Sequence, residues 1–359
     1  MDDYSDLIAD YDFELDPALI AQRPEKKPDD ARLLLVRLHP EKGMPRFEDL
    51  QVKDLPRLVA ETPSLQKMMW VRNRSKVLRA RFYAKRESGG EHEIVLVEPL
   101  EGGRWKAMIR REARLKFPCE LDCGGEKVLV LDKGLVSFEK LSVPLENFLN
   151  LHGEMPLPPY ITERNDEEDS RRYQSIWAQD QHASSVAAPT ASLHFTDKLW
   201  SQLTEDFSIP VFDLALHVGL GTFEPVRAER LSEHKIHGEN FEISSRQFES
   251  AVDYFAKYGR NFLCLGTTSL RCLESLSLKF GLSQKSEDVI YGRSEVFIKG
   301  DFPFQYCRAL WTNFHLPQST LLALVSSFCG SRLLALEAYN RAVKKKYRFF
   351  SYGDASLWT

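Results

Sequence analysis

Apolar positions along this chain follow two periods. Short runs, Leu33-Leu34-Leu35-Val36 apolar throughout and those at 211–217, 261–265 and 311–316 apolar with polar residues interspersed, predict buried strands. Helical spacing over 197–206, 248–258, 318–328 and 331–344 predicts amphipathic or buried helices between and after them. Thr196 and Ser319 stand where N-caps belong, and Asp16-Pro17 opens a helical turn. The pattern over 47–58 predicts a short helix, as does 143–151 behind Pro144, and the acidic residues at 166–169 suit a helix start. Four small polar clusters punctuate the apolar runs: Thr190-Ala191-Ser192 before His194, Gly219-Leu220-Gly221-Thr222 after His217, Gly266-Thr267-Thr268-Ser269, and Thr312-Asn313-Phe314-His315. One Gly-x-Gly after a strand is commonly only a turn, and one histidine beside apolar residues is commonly structural. Repeated four times, the arrangement predicts several strand ends lining one cleft.

Residues 65–140 change character. Alternating runs at 68–71, 77–84, 93–97, 105–109, 128–131 and 136–138 are separated by Ser88-Gly89-Gly90, Glu101-Gly102-Gly103 and Cys123-Gly124-Gly125. Many short strands between glycine turns predict a small antiparallel barrel. Met155-Pro156-Leu157-Pro158-Pro159-Tyr160 is a stiff connector out of it. Several barrel strands carry cations, among them Arg79, Arg81, Lys85, Arg86, Arg110, Arg111 and Arg114. Two readings stay open: a solvated sheet face, or a platform for a polyphosphate backbone.

With 359 residues, 43% hydrophobic and 28% charged, the chain has room for two domains or for one large domain with an insertion. A net charge of −4 excludes a uniformly basic nucleic-acid binder but leaves a local basic face open. No apolar run reaches the length of a bilayer span, and the acidic N-terminus is unlike a secretory signal, so a cytoplasmic protein is expected. Six scattered cysteines read as reduced thiols. His234 and His237, three apart, have neither a third ligand nor a clear helix, and a structural or substrate-contacting role fits them better than zinc.

The phrases AAPTASLHFT (187–196), LHVGLGTFEPV (216–226), GTTSLRCLES (266–275), TNFHLPQSTLLALV (312–325) and YRFFSYGDA (347–355) resemble, in collinear order, those of the S-adenosylmethionine:tRNA ribosyltransferase-isomerases of queuosine biosynthesis. The likeness extends to YDFELDPALIAQ (11–22), Asp29 with Arg32, PLPPYI (156–161) and RRYQSIWA (171–178), nearly the whole chain. It implies an α/β fold: a large α/β/α domain, expected over 1–62 and 153–359, with a small antiparallel β-barrel domain inserted at 63–152. The implied activity moves the ribosyl part of S-adenosylmethionine onto 7-aminomethyl-7-deazaguanine at the wobble position of a tRNA with a GUN anticodon. Epoxyqueuosine-tRNA forms, and adenine and methionine leave. S-adenosylmethionine is then a substrate, with no bound cofactor and no metal; a monomer without membrane association is expected.

Such a transfer needs a base for the proton beside the sulfonium, a donor for departing adenine and a polariser for an aldehyde-like oxygen; histidine suits proton transfer near neutral pH. His217 and His315 are therefore the acid/base candidates, with His194 third. Thr190, Gly219, Gly221 and Thr222 are expected at the donor or the deazaguanine; Thr267, Thr268, Ser269, Arg271 and Glu274 at the methionine end; Asn313, Asn73 and Arg32 at further substrate groups. Arg79, Arg81, Lys85 and Arg86 are the candidate RNA contacts. The chain departs from the family where Asn73-Arg74-Ser75-Lys76-Val77-Leu78-Arg79-Ala80-Arg81 replaces Asn-Asp-Thr-Arg-Val-Ile-Pro-Ala-Arg, and at Glu112, Ser192, Ala215 and Lys299-Gly300-Asp301. The altered motif keeps a second reading alive, a weakened relative that only binds tRNA or a nucleoside. A third, a hydrolase using Ser192 or Ser269, lacks the Gly-x-Ser-x-Gly elbow.

Overall fold

The computed structural model describes residues 3–44, 46–163, 166–179, 183–219, 228–236, 238–276 and 288–359. Strand β1 (Arg32–Val36) shows how the sequence divides the core. Successive side chains of a strand point to opposite faces; Leu34 and Val36 join one apolar cluster, Leu33 and Leu35 another. β2 (Phe47–Gln51) pairs antiparallel with β1 at one edge of the sheet. The expected helix over 47–58 thus begins as a strand, and α1 (Leu55–Glu61) starts only where Pro56 fits its first turn. After the single turn α2 (Pro63–Gln66), β3 (Met69–Asn73) enters the middle of the same sheet. The run at 68–71, read among the barrel strands, therefore belongs to the large sheet. Its burial on both faces, Met69 and Val71 to one side and Trp70 to the other, is the reason.

The short β4 (Lys76–Val77) leads out to six strands: β5 (Arg81–Lys85), β6 (Glu91–Pro99), β7 (Arg104–Ile109), β8 (Cys119–Cys123), β9 (Glu126–Asp132) and β10 (Leu135–Ser137). They close into an antiparallel barrel in the order β10-β7-β6-β5-β8-β9. Its interior is aromatic: Phe82 meets Phe148 of α3 (Leu145–His152) edge-on at 5.2 Å, with Phe138 beside both. β8 escapes the apolar pattern because its inward residues are Cys119, Leu121 and Cys123, while Glu120 and Asp122 pair with Lys140 and Lys127 outside. Gly124 (φ 62°) and Gly125 (φ 94°) make the β8–β9 turn in a region that side-chain-bearing residues seldom adopt.

The chain returns through α4 (Asp166–Arg172) and β11 (Ala183–Ser185), which pairs with β4. Then follow α5 (Asp197–Phe207), β12 (Val211–Leu216), β13 (Glu239–Ser244), α6 (Ser245–Tyr258), β14 (Phe262–Leu265), α7 (Thr267–Ser275), β15 (Val289–Ser294), β16 (Cys307–Asn313), α8 (Thr320–Phe328), α9 (Arg332–Lys344) and β17 (Ala355–Trp358). Thr196 caps α5 by accepting from the Leu199 N–H at 3.2 Å, and Ser319 and Ser331 do the same for α8 and α9. The nine strands order as β15-β13-β12-β3-β14-β16-β17-β1-β2. Leu55, Leu58, Leu199 and Leu203 from α1 and α5 cover one face; Phe248, Leu270, Leu322 and Ala338 from α6 to α9 cover the other. The result is an α/β/α sandwich beside a closed barrel. The aromatic tail is more deeply used than its position suggests: Tyr347 and Phe349 lie in the core, and β17 sits between β16 and β1. None of the six cysteines is paired. Among the described residues no single helix is long and apolar enough to cross a membrane.

Candidate active site

β12, β3, β14 and β16 run parallel, so their C-terminal ends meet at one edge of the sheet. That edge is where open α/β sheets bind ligands. Just beyond it stand His217 and Gly219, then Gly266-Thr267-Thr268, then Asn313-Phe314-His315. Two adjoining cavities open there, of about 260 Å³ and about 50 Å³, both bordered by Val218 and Leu321.

The smaller, inner cavity gathers Thr190, Thr267, Thr268, Asn313 and His315. Gly266 turns from β14 into α7 at φ 97°, and α7 begins with no side-chain cap, so its first N–H groups stay available to a ligand. Thr190 Oγ1 donates to Asn313 Oδ1 at 3.0 Å, and Asn313 Nδ2 donates to the Phe350 carbonyl at 3.2 Å. The His315 Nε2 lies 3.1 Å from the Thr312 hydroxyl. Burial pushes this imidazole down to about 3, so it is neutral at ordinary pH. Tyr160, Phe350 and Ser351 complete the wall, with the Tyr160 and Ser351 hydroxyls in contact. The sequence phrases contained all three, but nothing in their spacing marked them as site residues.

The larger, outer cavity holds His217, Gly219 and Arg271. His217 is half-buried, with Nε2 3.7 Å from the Glu242 carboxylate, an arrangement that orients an imidazole for proton transfer. Arg271 is nearly enclosed; its guanidinium donates to Glu239 at 2.6 Å and to the Val296 carbonyl at 3.2 Å. The opposite wall comes from the barrel: Val97, Glu98, Pro99, Lys106 and Met108. A register shift between Leu96 and Glu98 in β6 re-aims the strand there. Glu98 then bridges the seam, 2.7 Å from Lys106 and 3.4 Å from Arg293 of β15. The Lys106 hydrogen bond is foremost in holding this carboxyl below its usual range.

Other expected residues stand elsewhere. His194 places both ring nitrogens on backbone carbonyls, Ala191 at 3.1 Å and Gly353 at 2.8 Å; burial lowers its basicity and it borders neither cavity. Ser269 donates to the Leu265 carbonyl at the end of β14, and Glu274 accepts from the N–H groups of Gln305, Tyr306 and Cys307. Those bonds hold the chain ahead of β16, while burial pushes the Glu274 carboxyl up. Asn73 spends its amide on both backbone groups of Leu216 and on the Ser75 N–H, bracing β3 to β12. Arg32 lies 3.7 Å over the Tyr347 ring and donates to the Lys345 carbonyl, at the start of β1 beside the outermost strand β2. Gly221, Thr222 and His237 lie outside the described residues. His234 borders the outer cavity against Phe297, and no metal-binding group of His, Cys, Asp or Glu occurs among the described residues.

The expected RNA contacts divide. Arg81 is 5% exposed, paired with Glu93 and bonded to the Leu157 carbonyl, and Arg79 donates to Gly153 O and Ser170 Oγ. These two clamp the barrel's entry to its exit; Arg81 is buried away from the surface, while Arg79 is half-buried. Lys85 is exposed beside Glu91, and Arg86 donates to the Arg114 carbonyl. Arg74, where the family carries Asp, shares Asp213 with Arg72 at 2.9 and 2.5 Å. Ser192 is fully buried, so neither it nor Ser269 offers a nucleophile to a substrate.

Residues 8–358 match the family model described as queuosine biosynthesis protein. The chain is 41% identical over 359 residues to the S-adenosylmethionine:tRNA ribosyltransferase-isomerase of Anaeromyxobacter dehalogenans, covering 98% of each chain. It is 37% identical to the protein of that name from Halothermothrix orenii, covering 98% of this chain and 99% of the other. A solved structure, S-adenosylmethionine tRNA ribosyltransferase from Thermotoga maritima, superposes with a TM-score of 0.51 at 27% identity, covering 98% of this chain and 100% of that one.

Proposed function

The chain belongs to the family of queuosine biosynthesis proteins, and from that premise we propose that it is an S-adenosylmethionine:tRNA ribosyltransferase-isomerase. It moves the ribosyl group of S-adenosylmethionine onto 7-aminomethyl-7-deazaguanine at the tRNA wobble position, isomerises it to the epoxy-cyclopentane of epoxyqueuosine, and releases adenine and methionine. One observation carries the reading to this chain's own residues. Full-length similarity to proteins of that activity coincides with a single cleft at the sheet's C-terminal edge that gathers Thr190, Thr267, Thr268, Asn313, His315 and His217.

In this reading the uncapped start of α7, with the Thr267 and Thr268 hydroxyls, receives the methionine carboxylate. His217, oriented by Glu242, exchanges the proton acidified by the sulfonium. His315 acts as a neutral hydrogen-bonding group, and Asn313, fixed by Thr190, orients a substrate amide or hydroxyl. Arg271 and Glu239 form the polar floor of the outer cavity. The partner is a tRNA with a GUN anticodon, and the enzyme acts as a cytoplasmic monomer with no bound cofactor. The weakened-relative reading is not favoured: the full-length relatives are named as enzymes, and Arg74 pairs with Asp213 while Arg79 donates to the Gly153 carbonyl.

The test mixes protein, S-adenosylmethionine and an anticodon stem-loop carrying 7-aminomethyl-7-deazaguanine, then measures free adenine and methionine by chromatography. Stoichiometric release of both, dependent on the modified RNA, is expected. RNA binding without adenine release would instead establish the weakened relative.

A further inference from the structure

Strand β7 alternates strictly in exposure. Trp105 and Ala107 point into the barrel, while Arg104, Lys106, Met108 and, just past its end, Arg110 point to solvent. At a rise of about 3.4 Å per residue, successive outward side chains stand about 6.8 Å apart, so the cations form a straight track. The track leads into the cleft, because Lys106 and Met108 also line the outer cavity with His217. Across the cavity mouth runs β15, the edge strand of the large sheet. Arg293 of β15 borders the cavity, and Tyr291, two residues earlier on the same strand face, is 71% exposed. An aromatic ring so open to water and so close to a reaction cleft has no packing role to explain it.

We infer that β7 and β15 are the two sides of a cradle for single-stranded RNA, with Arg104, Lys106 and Arg110 on phosphates and Tyr291 stacked on a base beside the modified nucleotide. Cationic tracks paired with exposed aromatic rings are how proteins hold unpaired nucleic acid. The acids paired with cations here are Glu98, against Lys106 and Arg293, Glu295, also against Arg293 at 3.2 Å, and Glu93, against Arg110 at 3.6 Å; among the described residues Arg104 donates to the Glu101 carbonyl. Exposed pairs of this kind contribute little and exchange readily for a phosphate. This inference rests on the proposed reaction, which needs the wobble base inside the cleft and its neighbours at the mouth.

The experiment uses the full chain and a modified anticodon stem-loop with 2-aminopurine next to the wobble position. The Arg104→Ser, Arg110→Ser double variant is expected to bind roughly ten-fold more weakly at low salt and to flatten the log–log salt slope by about 1.4. Tyr291→Ala is expected to lose roughly ten-fold in affinity and the 2-aminopurine quenching, and Tyr291→Phe to restore both. S-adenosylmethionine affinity, measured by calorimetry, stays at the wild-type value in all of them. Wild-type RNA affinity and salt slope in the variants overturn the cradle, as does a parallel loss of S-adenosylmethionine binding. If the unaltered protein binds the RNA but releases no adenine, the proposed reaction falls, and the variants' binding still decides the cradle.

Discussion

A carboxylate 3.7 Å from an imidazole at the mouth of a cavity sets His217 apart from the other two histidines. His217→Gln is expected to slow adenine release by roughly 10²- to 10⁴-fold while RNA and S-adenosylmethionine bind as before. Glu242→Gln is expected to lower kcat with little change in KM, the signature of an orienting partner. Full activity in His217→Gln, by the same chromatographic assay, would remove this residue from the chemistry. His315 and His194 matter in another way. Both are buried and less basic folded than unfolded. For His315 the unfolded chain takes up the extra proton between about 3 and 6.5, so stability rises with pH across that window and is lost as pH falls. Urea midpoints are expected to drop from pH 7 to pH 5, and His315→Asn is expected to flatten the trend. An unchanged pH dependence in that variant would contradict the assignment.

Among the elements, the legible ones were those that one local signal specifies. Thr196 and Ser319 cap the helices that follow as their positions predict, Ser331 caps α9 although the pattern placed it inside that helix, and each Ala replacement is expected to cost about 1 kcal/mol in urea unfolding. The buried parallel strands were legible because both faces are apolar, and the barrel because glycine turns separate its strands. The strands at one end of the sheet were not: β15 at the edge and its neighbour β13 expose one side and carry polar residues there, which reads as loop. Charge was misread at Arg81 because composition cannot tell a surface cation from one buried against a carboxylate. Glu98 was invisible because its direction depends on a register shift that no local pattern announces. Gly353 shows how close the packing behind the site is. A Cβ there would stand 2.5 Å from the Phe349 carbonyl carbon, and its own carbonyl holds His194. Gly353→Ala is expected to lower Tm and reduce activity together.

At the scale of the whole molecule, the proposed reaction cleft is a seam. The α/β sandwich supplies the strand ends and the barrel supplies the facing wall, joined at Glu98 and Arg293. The order of strands explains why the family likeness had to span the chain: the cleft draws on segments from Val97 to Ser351, so no single stretch carries it. Deleting residues 355–359 is expected to abolish the cooperative unfolding transition, because β17 is hydrogen-bonded to β16 on one side and β1 on the other. That placement has a temporal meaning. During synthesis β1 and β2 leave the ribosome early, yet they can join the rest of the sheet only after every other described element has emerged. Until then the nascent protein carries two open strand edges, at β1 and at β16, each a template for pairing with a neighbouring chain. Shelter for those edges during translation is therefore expected to matter, and truncation before residue 355 is expected to yield a chain open to degradation and not a slower enzyme, which pulse-chase of the truncated protein would check.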